Sequence, residues 1–105
     1  REKMIHVIAT IKLQADTREK FLRILKENVP KVQAEQGCRA YAPAVDVESG
    51  IPVQAALRPD VVTIIEAWDS LEDLRTHLKA PHMLSYREKV QALVKNVSIH
   101  VLTPA

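Results

Sequence analysis

The chain has 105 residues, with 15 basic against 13 acidic side chains, one cysteine and only four aromatic residues. That length suits one domain, residues 1–105, with a modest core and a strong incentive to oligomerise. The charges form no basic block and stacking aromatics are scarce, which excludes nucleic acid, and no apolar run reaches the ~18 residues of a membrane span.

The lone Cys38 allows no internal disulfide, fits a reducing cytoplasm and reads as a small buried hydrophobe. No signal-peptide pattern opens the chain, and Arg1-Glu2-Lys3 ahead of Met4 reads as a short extension, either natural or artificially added.

Met4 to Leu13 alternates as a strand, with Val7, Ala9, Ile11 and Leu13 on one side and His6, Ile8, Thr10 and Lys12 on the other. Asp16 or Thr17 caps a helix running to about Glu35, in which Phe21, Leu25, Val29 and Val32 recur at helical spacing. Pro30 inside it predicts a kink or break near Asn28. Gln36-Gly37 closes the helix through the left-handed conformation open to Gly. Cys38 to Val47 reads as the second strand, followed by a loop past Ser49-Gly50.

Val61-Val62-Thr63-Ile64-Ile65-Glu66-Ala67-Trp68 is β-branched and nearly uninterrupted, as in a strand covered on both faces. Glu66 is its anomaly. It shares a face with Ile64 and Trp68, and a carboxylate taken out of water needs a partner or titrates higher. His77 is the expected partner. Asp69-Ser70 starts a helix with Glu72 and Asp73 in its first turn and Leu71, Leu74 and Leu78 as its buried stripe, which His77 borders. Pro81 ends or restarts that helix, and His82 and Tyr86 then lie four apart on one face, with Met83, Val90 and Leu93-Val94 supplying the apolar side. Asn96 to Thr103 is the last strand.

The order βαββαβ predicts an α+β, ferredoxin-like fold: a four-stranded antiparallel sheet with the helices on one face. The other face, with Ile8, Thr63, Ile65 and Ala67, is too apolar to leave in water. Two such sheets packed face to face form a homodimer with a barrel-like core.

Val61 to Tyr86 gathers the only Trp, two of the four His, a Tyr and the misplaced acid. A pocket is expected there. Glu66, His77 and His82 could imitate a two-His-one-carboxylate metal triad, but five-residue His spacing across a proline is not the i, i+4 pattern of zinc sites. No metal is expected. His6 and His100 lie on terminal strands without a visible partner and read as structural.

Glu35-Gln36-Gly37-Cys38-Arg39-Ala40-Tyr41-Ala42-Pro43, Ile65-Glu66-Ala67-Trp68-Asp69-Ser70 and His77-Leu78-Lys79-Ala80-Pro81-His82-Met83 together resemble the antibiotic biosynthesis monooxygenase superfamily of dimeric α+β barrels. The bacterial quinol monooxygenases are the most similar branch. The resemblance implies a pocket wall of Glu66 and Trp68, faced by His77 and His82. Thr10 and Arg87 stand where the haem-degrading branch needs an Asn and an axial His, so haem is not expected. Ile64 stands where oxygenase relatives place an Asn four residues before the Trp.

The activity implied is cofactor-independent oxidation of a quinol, or a related phenolic or polycyclic aromatic substrate, by dioxygen. His77 is then the base and Glu66 its orienting acid, with Trp68 stacking on the ring. His82 or Tyr86 bonds the developing oxyanion, and Met83, Ile64 and Tyr41 line the remaining pocket. No Gly-rich phosphate loop exists to hold a flavin or nicotinamide. An isomerase on the same scaffold and a non-catalytic, ligand-holding stress-response dimer are the alternatives.

Overall fold

A computed structural model describes residues 3–105, so Arg1 and Glu2, on which part of the extension reading falls, lie outside it. Strand β1 (Ile5–Leu13) is followed by helix α1 (Arg18–Gln33), strands β2 (Cys38–Ala44) and β3 (Val61–Trp68), helices α2 (Leu71–Leu78) and α3 (Pro81–Val90), a 3-10 turn (Gln91–Leu93) and strand β4 (Val94–Leu102). The strands lie in the order β2-β3-β1-β4, every neighbouring pair antiparallel. This is the ferredoxin-like α+β fold that the order of elements predicts.

Alternation along β1 and β3 decides which side chains enter the core. Ile5, Val7, Ala9 and Ile11 pair with Trp68, Glu66, Ile64 and Val62 and so share their face. That face is buried beneath the helices together with Phe21, Leu25 and Val32 of α1. On the opposite face Ile8 pairs with Ile65, which is 48% exposed.

α1 runs unbroken through Pro30, so no break occurs at Asn28. Pro30 stands in the last turn, where it removes only the bond to the Lys26 carbonyl and the helix ends three residues later. β2 stops at Ala44, short of Val47, because Asp46 accepts hydrogen bonds from the backbone and guanidinium of Arg58, both at 2.9 Å, and turns the chain into the 45–60 loop.

Two turns position the site. Gly37 has φ +78°, and a Cβ there would collide with the Asp73 side chain, so the corner between α1 and β2 requires glycine. Its carbonyl accepts from the Asp69 amide at 2.9 Å, which ties that corner to the turn leading into α2. There the Ser70 side chain caps α2 by accepting from the Asp73 amide at 3.1 Å, and Pro81 opens α3 after Ala80 in the extended conformation. The buried stripe of α2 is Leu74 and His77, whereas Leu71 and Leu78 are 42% and 38% exposed. His77 therefore fills the stripe it was expected to border.

Candidate active site

Between the helix-facing side of the sheet and helices α2 and α3 lies a cavity of about 490 Å³. Ala9, Ile11, Ile64, Met83, Val90 and Val94 give it apolar walls, and Tyr41, Glu66, His77 and Tyr86 are its buried polar lining. Arg87, Glu88 and Gln91 lie at its exposed margin, where Arg87 Nη1 donates to the Leu78 carbonyl at 2.9 Å and closes the end of α2.

Glu66 lies two residues before the end of β3 and accepts from Trp68 Nε1 at 3.0 Å. Burial pushes its carboxyl up to about 7, against the pull of the indole bond and with a further push from the Glu35 charge. Both protonation states of Glu66 are therefore populated near neutrality.

His77 is 2% exposed and is held on three sides. Trp68 lies against its ring at 4.7 Å between centroids, Tyr41 meets it edge-on at 5.6 Å, and its Nδ1 is 2.9 Å from Glu35 Oε2. Burial holds the imidazole below its ordinary pKa, although the Glu35 bond and charge pull it back up. Its other nitrogen, Nε2, makes no hydrogen bond, and among the described residues no buried side-chain nitrogen or oxygen lacks a partner. Nε2 is thus open to the cavity that His77 lines. The hydroxyls of Tyr41 and Tyr86 are open in the same way, and burial raises both phenols, so they stay protonated. Met83 is fixed against the cavity by buried Asn28 of α1, whose Nδ2 donates to the thioether sulfur at 3.3 Å.

The antibiotic biosynthesis monooxygenase family model matches residues 4–89. The chain belongs to this family. It is 38% identical over 103 residues to the probable quinol monooxygenase YgiN of Escherichia coli K12, covering 96% of this chain and 98% of that protein. The solved structure of PA3566 from Pseudomonas aeruginosa superposes with a TM-score of 0.81 at 26% identity, over 99% of this chain and 96% of that one. Rv0793 from Mycobacterium tuberculosis gives 0.79 at 26% identity, over 97% and 95%.

Within this family member the cavity brings together Glu66, His77, Tyr41, Ile64, Met83 and Tyr86, and leaves out two residues read as contacts. Trp68 is 0% exposed, spends its N–H on Glu66 and does not line the cavity. His82 lies beside a separate polar pocket of about 30 Å³, with its Nε2 2.7 Å from Glu35 Oε2. The expected Glu66–His77 bond does not form, because the adjacent indole takes Glu66 and Glu35 takes His77. Glu35 is the residue the sequence reading missed. One signal was available: an acid just beyond the C-terminal end of α1 opposes the helix dipole and needs another use.

The raised Glu66 carboxyl fixes the sign of a stability effect. Its folded pKa lies above the unfolded one, so folding gains nothing from it in acid and is opposed as pH rises from about 4.5 through about 7. Glu66→Gln should therefore remove a destabilisation on the order of 3 kcal/mol that the parent develops between pH 5 and pH 8. Urea unfolding of both proteins at the two pH values measures this, and an unchanged parent–variant difference would contradict it.

Proposed function

We propose that this family member is a cofactor-independent monooxygenase that oxidises a hydroquinone, or a related phenolic or polycyclic aromatic, with dioxygen. The observation that carries the reading is an apolar cavity in which His77 presents an open Nε2 beside two protonated phenols and a carboxyl poised near neutrality. A flat aromatic ring suits the walls, and its oxygens suit those four groups.

His77 Nε2 takes the proton of a ring hydroxyl. The resulting anion is itself a reductant: it passes one electron to dioxygen, and the ring radical and superoxide then join through a new C–O bond. The proton on His77 returns to the outer peroxide oxygen. The O–O bond breaks as that oxygen leaves as water with the hydrogen of the ring carbon, so hydroquinone plus dioxygen gives hydroxyquinone plus water. Tyr41, Tyr86 and the protonated share of Glu66 donate to the oxygens on which negative charge develops, in the apolar, buried part of the cavity. No flavin, haem or metal is required because the substrate anion supplies all the electrons.

The same reading makes the protein a cytoplasmic homodimer. The helix-free face with Ile8, Thr63 and half-exposed Ile65 would meet its copy in a second chain, excluding from water a surface that no described element covers.

Oxygen uptake with a panel of hydroquinones, in the presence of a chelator, tests the chemistry. The parent should turn over, and His77→Gln should be slower by roughly a hundredfold or more. Glutamine is preferable to alanine because His77 fills a packed position. Activity that vanishes with the chelator and returns with one particular metal would overturn the cofactor-free mechanism. Ile65→Asp should dissociate or unfold the protein, since burying an unpaired charge costs several kcal/mol. A stable, folded dimer of that variant in sedimentation would contradict the assembly.

A further inference from the structure

We propose that Glu35 is a positioning residue, anchored by His82, that keeps the His77 proton on Nδ1 so that Nε2 meets the ligand as a lone pair. An isolated neutral imidazole favours the proton on Nε2, and in that form His77 would offer the cavity a donor and no base. An ionised carboxylate only accepts, so a ring nitrogen facing it must carry the hydrogen. Oε2 of Glu35 receives two such nitrogens, His77 Nδ1 at 2.9 Å and His82 Nε2 at 2.7 Å. The three side chains come from three places, the corner after α1, helix α2 and helix α3, so the shared oxygen also sets the orientation of the His77 ring. The fixed carboxylate further stabilises the imidazolium formed when Nε2 takes a proton. The Arg87 and His82 charges act on His77 in the opposite sense.

This assignment gives His82 a task other than contact with the substrate. Its side chain is 24% exposed and lies outside the large cavity, and its bond gives Glu35 Oε2 a second partner on helix α3. The kinetic part of the inference rests on the proposed quinol oxidation. The protonation pattern of His77 does not.

Nitrogen-15 NMR of histidine-labelled parent protein at neutral pH is the first arm of the test. It should show His77 with a protonated Nδ1 and a bare Nε2, and a His77 protonated on Nε2 would overturn the proposal. In the second arm Glu35→Gln should lower kcat roughly tenfold or more with KM little changed. A kcat within about twofold of the parent would overturn it. His82→Gln can still donate to Glu35 and should retain more of kcat than His82→Leu, and equal losses would count against the anchor. If Glu35→Gln does not fold, the parent spectrum decides. If the parent oxidises no hydroquinone, the functional reading fails while the nitrogen pattern still tests the positioning role.

Discussion

A single carboxylate oxygen, Oε2 of Glu35, receives two imidazole nitrogens at 2.9 and 2.7 Å, and the geometry of the cavity depends on that arrangement. His77 is almost wholly buried between Trp68 and Tyr41. Without Glu35 its Nδ1 would be a buried polar atom lacking a partner, at a cost of about 1–3 kcal/mol. The Gly37 turn and its bond to the Asp69 amide bring the acid to that place, because they join the end of α1 to the start of α2. Backbone conformation, helix capping and the orientation of the His77 ring are therefore one connected constraint.

The two acids of the site are differentiated by their surroundings. Glu35 accepts from two imidazoles, whereas Glu66 accepts one indole N–H and is pushed up to about 7 by burial. The first suits holding and stabilising an imidazolium. The second suits a group that donates a hydrogen bond in one protonation state and accepts in the other. Glu66 lines an apolar space that also has Tyr41 and Tyr86 in its lining, where a charge formed on a bound ring is stabilised chiefly by the dipoles provided for it.

Much of this was readable from residue patterns. Alternation in Met4 to Leu13 and Val61 to Trp68 placed the sheet faces, and the Ser70 cap and Pro81 restart placed α2 and α3, because these signals act over a few residues. Glu66 stood out as an acid inside an apolar strand, and the cavity does include it with His77, Tyr41, Ile64, Met83 and Tyr86. The partnership was less accessible. Glu35 is 42 residues before His77 and 47 before His82, and no short-range pattern reports a contact closed by a tertiary turn. Trp68 and Glu66 are two apart on one strand face, so their bond was within reach of the same alternation that paired them on the wall. The exposure of Leu71 and Leu78 shows the limit of apolar spacing, since a two-turn helix buries only the side that meets the sheet, and that side carries Leu74 and His77.

Cofactor-free oxidation requires that the cavity deprotonate an aromatic hydroxyl and hold the anion. Anaerobic ultraviolet difference spectra of a hydroquinone bound to metal-stripped protein test it directly, because without oxygen the first step is isolated from those that follow. At pH 7, about three units below the usual phenol pKa of ~10, the bound ligand should show the phenolate band, and His77→Gln should abolish it. A bound ligand that keeps the neutral phenol spectrum until the pH reaches the ionisation of the free compound would rule out His77 as the base of a cofactor-free oxidation.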